Sequence, residues 1–138
     1  MPGFERFPFL PAGSTTPSPR MPLRLSHQGL DLTVFGLLDT GASINVLPHS
    51  VGSQLGFVWN QQTTPLRLTG NLANLEARAV IVAATIGQFP AKRLAFAWTL
   101  AEEVPVILGQ VNFFLEFDVC FFRSMGWYEV RPQTKVGV

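Results

Sequence analysis

Short apolar stretches separated by turn residues follow one another from residue 22 to residue 131, and this pattern restricts the fold more than any other feature. It is clearest at residues 30–35, where leucine, valine and phenylalanine alternate with Asp31 and Thr33. A period of two places successive side chains on opposite faces of a strand. The turn at residues 27–29 then joins residues 23–26 and 30–35 into an antiparallel hairpin. The sequence therefore predicts an all-β, or mainly β, domain.

The same pattern predicts most of the remaining elements. Two segments suit a short helix: residues 48–55, which begin with proline and stop at Gly56, and residues 112–117, where the aromatic spacing is helical. Residues 70–74 are small and polar, like the tip of a mobile hairpin. Further strands are predicted at residues 44–47, 65–69, 75–84, 104–108, 119–123 and 127–131.

The first 21 residues have turn and linker composition, with prolines and no periodic pattern. We interpret residues 1–21 as a flexible arm or a peripheral strand, and residues 22–138 as the folded domain. Glu5 and Arg6 lie where a secretory signal needs an unbroken apolar stretch. The apolar runs at residues 79–86 and 104–108 are too short to cross a bilayer. We expect a cytoplasmic protein without a membrane partner.

Ten basic and nine acidic side chains, without any lysine- or arginine-rich run, argue against a nucleic-acid partner. Cys120 is the single cysteine, and no Cys/His cluster has the spacing of a zinc site. We expect no metal or other cofactor, and we expect Cys120 to be buried. Core packing is also expected for the phenylalanines of the C-terminal part: Phe113, Phe114, Phe117, Phe121 and Phe122.

The segment with the most chemical content runs from Gly36 through Leu37 and Leu38 to Asp39-Thr40-Gly41-Ala42-Ser43. Two apolar residues would deliver the acid to a tight turn at a strand end, where glycine allows a ligand to approach the backbone closely. Taken alone, Asp-Thr-Gly also fits an ordinary Asx-type turn. Serine catalysis is disfavoured, because the segment lacks the second glycine of a hydrolase nucleophile elbow.

A second element, Val106-Ile107-Leu108-Gly109, follows further along the chain. Together the two elements resemble the retropepsins, which are the retroviral-type aspartic proteases and their cellular relatives. The resemblance covers residues 22 to 131. It implies a closed, barrel-like acid-protease fold with one or two short helices that acts as a homodimer.

The resemblance also implies roles for individual residues. Asp39 of each subunit would form the catalytic pair, and Thr40, Gly41 and Ala42 would support the active-site loop. Thr40 would hydrogen-bond across the dimer axis, and residues 70–74 would form the flap over the substrate. Substrate contacts are expected from Ser43, Gly70, Asn71, Leu72 and Ile107, with apolar subsites formed by Val34, Val46, Leu72 and Ile107.

The implied activity is that of an aspartic endopeptidase, which cleaves an extended polypeptide with water activated by two carboxylates. Two alternatives stay open. One is a catalytically inactive module that keeps the fold for dimerisation or peptide binding; the other is a precursor whose N-terminal arm must be removed or rearranged. The chain departs from the retroviral pattern at Ser43 and Gln110. Retroviral proteases have an acid and an arginine at these two positions, and these residues form an ion pair near the dimer interface. A polar contact is expected in its place, or a weaker dimer.

Overall fold

The computed structural model describes residues 3–133, which form ten strands, one α-helix and three 3-10 turns. No helix in this part of the chain is long and apolar enough to span a membrane. The 3-10 turns lie at Trp59–Gln61, Gly70–Leu72 and Arg123–Met125. The strands are β1 Glu5–Pro8, β2 Arg20–His27, β3 Leu30–Leu38, β4 Val46–Leu47, β5 Pro65–Arg67, β6 Glu76–Thr85, β7 Lys92–Thr99, β8 Val106–Leu108, β9 Phe117–Phe122 and β10 Trp127–Pro132, and the helix is α1 His49–Gln54.

Six strands close into a barrel in the order β2, β3, β8, β4, β7 and β6. The ring is completed where β6 pairs back onto β2, with Thr85 opposite Arg24. β3 and β8 are parallel, so both strands finish at the same end of the barrel, with Leu38 opposite Leu108. β5 pairs only with β6 and projects from the ring as one arm of a hairpin. The predicted mainly β, closed barrel with a short helix is confirmed.

Alternation along the strands fills the barrel interior. On β2, Met21, Leu23 and Leu25 are buried while Arg24 is exposed. Each large apolar side chain that leaves water in this way contributes about 1.5–3 kcal/mol. The fully buried Trp98 of β7 donates its indole N–H to the carbonyl of His49 at 3.0 Å, and this contact holds α1 against the barrel wall.

The N-terminal strand β1 belongs to a second sheet, in which it pairs with β10 and β10 pairs with β9. Glu5 accepts a hydrogen bond from the backbone N–H of Gln88 at 2.6 Å, in the turn between β6 and β7. Arg6 forms an ion pair with Glu129 at 2.9 Å. Phe9 is buried in the main core. Residues 5–9 are therefore packed against the rest of the domain.

Two expectations about the C-terminal part were wrong. Cys120 is exposed rather than buried. Phe121 and Phe122 are 40% and 41% exposed, whereas Phe113 and Phe117 lie in the core as expected. β9 lies at the edge of a three-stranded sheet, and its last three residues, 120–122, are all exposed, so neither face of this end of the strand is covered.

The helix expected at residues 112–117 is also absent, and this segment forms successive turns. The N–H groups of Phe113 and Phe114 both donate to the carbonyl of Gly109, at 3.0 and 3.2 Å. The N–H of Phe117 donates to the carbonyl of Phe113 at 3.0 Å, directly before β9 begins. A helix needs several consecutive bonds to offset the cost of its first turn. Between Gly109 and Phe117 the backbone bonds span three, four or five residues, so no regular series of four-residue bonds forms.

Tyr128, the only tyrosine of the chain, is fully buried, and its hydroxyl has no hydrogen-bond partner among residues 3–133. Burial raises the pKa of this phenol well above its ordinary value. The unfolded chain then ionises first, so stability is full below about pH 10 and falls as the pH rises further. We expect Tyr128→Phe to lessen this alkaline loss and to stabilise the protein by about 1 kcal/mol at neutral pH.

Urea unfolding at neutral pH and at about pH 11 measures both effects of Tyr128→Phe. A variant that is destabilised at neutral pH would show that the hydroxyl has a stabilising partner. An unchanged alkaline loss would show that Tyr128 does not carry it.

Candidate active site

Asp39 is the first residue after β3, at the barrel end where β3 and β8 finish side by side. Its backbone N–H donates to the carbonyl of Leu108 at 3.0 Å, which extends the parallel pairing by one residue. Its carboxylate is partly buried, and Oδ1 accepts the N–H of Gly41 at 2.9 Å. Its carbonyl accepts the N–H of Ala42 at 3.1 Å. The turn is thus of the Asx type, and the same contacts that define it hold the carboxylate in place.

The segment that follows β8 crosses over the Asp39 loop, residues 39–45. The N–H of Gln110 donates to the carbonyl of Ala42 at 2.9 Å, and the N–H of Val111 donates to the carbonyl of Ser43 at 2.9 Å. These bonds join two parts of the chain that are distant in sequence. We call residues 109–111 the crossover segment.

Gln110 makes a polar contact with Thr40 rather than with Ser43. Its side-chain Nε2 donates to the backbone carbonyl of Thr40 at 2.7 Å, within the same chain. Thr40 and Ser43 are exposed residues. Their contacts with the crossover segment are made by their backbone carbonyls, which accept from the Gln110 side chain and from the Val111 N–H. The loop is therefore held by neutral hydrogen bonds on this side.

Gly109 allows the crossover segment to lie close against the Asp39 loop. A Cβ atom at this position would lie 2.6 Å from the carbonyl oxygen of Ile44 and 2.9 Å from that of Ala42. Cβ atoms essentially never lie within 3.0 Å of another heavy atom in this way. Glycine is required here by the space between two backbones, since its φ angle is not among the positive ones.

A cavity of about 380 Å³ opens beside Asp39, between the Asp39 loop and the tip of the β5–β6 hairpin. It brings together the expected catalytic, loop-supporting and substrate-contact residues except Thr40, and residues 73 and 74 of the expected flap are also outside its lining. Val46 also lines it, whereas Val34 packs against the main core instead. The full lining is Asp39, Gly41, Ala42, Ser43, Ile44, Val46, Leu68, Thr69, Gly70, Asn71, Leu72 and Ile107.

The cavity wall is mainly apolar, and among the described residues Asp39 is the one ionisable side chain that lines it. Val46, Leu68 and Ile107 are buried members of a small apolar cluster separate from the main core. Ile44 and Leu72 are partly buried and pack against that cluster. Such a wall favours apolar groups on a ligand, while Asp39 and the polar lining residues Ser43, Thr69 and Asn71 can supply polar contacts.

Sequence reasoning did not identify Ile44, Leu68 and Thr69 as lining residues, and it did not identify Asn45. Asn45 is fully buried, and its Oδ1 accepts the N–H of Gly109 at 2.8 Å. One signal was available, because an asparagine within an apolar stretch is paired when it is buried. Its partner could not be named from the sequence.

Within residues 3–133, no three or more His, Cys, Asp or Glu side chains lie close enough together to hold a metal ion. The two histidines have other contacts. His27 stacks on Phe57 with ring centroids 4.0 Å apart, and His49 stacks on Trp98 at 5.5 Å. Neither residue lines the cavity beside Asp39.

The model of the family described as aspartyl protease matches residues 24–111, which include the Asp39 loop and the crossover segment. No curated protein sequence matches the chain. Among solved structures, a retropepsin-like aspartic protease from Rickettsia conorii has a TM-score of 0.63 at 17% identity, with 92% of this chain and 98% of that chain covered. EIAV protease in complex with the inhibitor HBY-793 has a TM-score of 0.50 at 22% identity, with 70% and 85% covered. These structural likenesses concern the fold.

Proposed function

The chain belongs to the aspartyl protease family and has the retropepsin fold, which confirms the resemblance drawn from its two sequence elements, and on this basis we propose that it is an aspartic endopeptidase. The observation that carries the proposal is the position of Asp39. Its carboxylate accepts the Gly41 amide at 2.9 Å and lines the mouth of a largely apolar cavity. A carboxylate held beside an accessible cavity is positioned to take a proton from a water molecule there.

The proposed site needs a second copy of the chain. Hydrolysis of a peptide bond requires both a base and an acid, and within residues 3–133 Asp39 is the one ionisable side chain that lines the cavity. Two carboxylates within a few ångströms share a proton and titrate as a coupled pair. In a homodimer, one Asp39 would take a proton from the attacking water, and its mate would donate one to the developing oxyanion and then to the leaving amine.

The proposed substrate is a polypeptide in extended conformation. Gly41 and Ser43 line the cavity on one side, and the turn Gly70–Leu72 lines it on the other. An extended peptide would satisfy its own backbone groups between these two walls, as an added strand does. The apolar cluster around Val46 and Ile107 would receive apolar side chains.

Mixing subunits tests the proposal directly. If each site needs one Asp39 from each chain, an excess of the Asp39→Asn variant should suppress wild-type cleavage by forming mixed dimers. With an approximately ninefold excess, about one-tenth of the wild-type subunits would still pair with each other by mass action, so cleavage of a peptide library should fall about tenfold. Specific activity of the wild type alone should rise with protein concentration at the dilute end.

The matched control is an equal excess of Asp31→Asn. Asp31 is an exposed residue near the start of β3, at the other end of this strand from the Asp39 loop, and it accepts a hydrogen bond from the Ser26 hydroxyl at 2.7 Å. This variant keeps Asp39, so cleavage should increase rather than fall. Suppression by neither variant would mean that one chain holds a complete site. A wild type that dimerises but cleaves no peptide would favour the inactive binding module.

A further inference from the structure

The described residues that are both polar and buried are Asn45 and Thr99. Asn45 lies at the end of the Asp39 loop, directly before β4. Its side-chain oxygen accepts the N–H of Gly109 at 2.8 Å, and its side-chain nitrogen donates to the carbonyl of Ala95 at 3.2 Å. A single buried amide therefore joins the crossover segment to β7.

The backbone of Asn45 is held as tightly as its side chain. Its N–H donates to Oδ1 of Asn112 at 3.2 Å, and its carbonyl accepts the N–H of Ala97 at 2.8 Å. Burying an amide is costly unless both its donor and its acceptor are paired, and Asn45 meets this condition. An apolar side chain of similar size would fill the space without joining the two segments.

The bond from Asn45 to Gly109 bears on the position of Asp39 through a short series of contacts. Gly109 is held where its backbone lies against the carbonyls of Ile44 and Ala42. The next two residues, Gln110 and Val111, then donate to the carbonyls of the Asp39 loop at 2.9 Å each. A shift of Gly109 would move these donors and, with them, the loop that carries the carboxylate.

We propose that Asn45 is a positioning residue for Asp39. Asn45 does not line the cavity. It holds Gly109 in place, and the crossover segment that begins there fixes the position of the Asp39 loop. This inference rests on the proposed function, because a pair of carboxylates that shares a proton across a twofold axis tolerates little displacement. A misplacement of about 1 Å at a reacting group can reduce the rate by about 100-fold.

Two substitutions separate positioning from folding. Asn45→Leu removes both side-chain hydrogen bonds, and we expect kcat to fall by about 100-fold with KM little changed. Asn45→Asp keeps both bonds while its carboxyl is protonated, since a carboxylic acid has one donor and one acceptor. Burial raises the pKa of such a carboxyl, so the ratio of variant to wild-type kcat should be near one in acid and fall as the pH rises.

Thr99→Val is the matched control. Thr99 is equally buried, and its hydroxyl accepts the N–H of Ala101 at 3.0 Å, away from the Asp39 loop. This variant should lower the unfolding midpoint and leave a kcat ratio that does not vary with pH. The folded fraction of each variant is measured by circular dichroism in the same buffers, and kcat is expressed per folded molecule.

The outcomes are distinct. If kcat per folded molecule of Asn45→Asp follows the wild type at every pH, or if loss of activity only tracks unfolding, the inference is overturned and the proposed function stands. If Asn45→Leu does not fold, the pH dependence of Asn45→Asp still decides the matter. If the wild type cleaves no peptide, the proposed function fails first and the inference fails with it.

Discussion

The Asp39→Asn variant is expected to lose peptide cleavage by at least about 10³-fold, because neither amide of the resulting pair can accept or donate the transferred proton. The substitution keeps the shape of the side chain, and an amide oxygen can still accept the N–H that Gly41 donates at 2.9 Å. The fold and the unfolding midpoint should therefore change little. Loss of activity without loss of structure is the result that assigns the chemistry to this carboxylate.

The control for this prediction is Asp31→Asn, which makes the same change at an exposed position on β3, the strand that ends directly before Asp39. Its cleavage rate should stay close to that of the wild type. The measurement is initial rate on a peptide library at a protein concentration where specific activity has reached its plateau. Equal cleavage by wild type and Asp39→Asn would falsify the protease assignment.

Gly109→Ala is expected to have the second-largest effect. The added Cβ would lie 2.6 Å from the carbonyl oxygen of Ile44 and 2.9 Å from that of Ala42. Both are backbone atoms, so neither can rotate away as a side chain does, and the Asp39 loop must move. Overpacking of this kind costs about 1–3 kcal/mol of stability. Displacement of the loop should lower kcat by about 100-fold as well.

Gly36→Ala provides the comparison for Gly109→Ala. Gly36 is a buried glycine of β3, and its nearest contacts would be side-chain atoms of Leu108 and Leu23, at 2.9 and 3.1 Å. These side chains can adjust their rotamers, so stability should fall while kcat per folded molecule is kept. A Gly109→Ala variant with wild-type kcat would show that the two backbones can separate without moving Asp39.

Where a structural feature depends on neighbouring residues, the sequence was sufficient to predict it. The hairpin of β2 and β3 follows from alternation around a tight turn, and α1 His49–Gln54 lies within the predicted residues 48–55. Gly56 adopts φ +88 after this helix, which is the left-handed conformation that favours glycine at a helix end. Such features need only the local backbone and the spacing of apolar residues.

The errors arose where burial depended on the partner of an element. Cys120, Phe121 and Phe122 belong to an apolar run that reads as core, yet β9 is an edge strand and presents part of that run to solvent. The aromatic residues within residues 112–117 have helical spacing, but the N–H groups of Gln110 and Val111, directly before this segment, are bonded to the Asp39 loop. The type of a residue indicates how often it is buried in proteins. Whether it is buried here depends on the strands that pack beside it.

The candidate site divides in the same way. The hydrogen bond from Gly41 to the Asp39 carboxylate spans two residues, so the turn that holds this acid could be predicted from the local sequence alone. The bond from Gly109 to Asn45 spans 64 residues, and that from Gln110 to Thr40 spans 70. These contacts, and the cavity between the Asp39 loop and the β5–β6 hairpin, exist because the barrel closes and β3 pairs in parallel with β8. Local backbone preference thus determined the carboxylate and its turn, whereas contacts between distant segments decided what surrounds it.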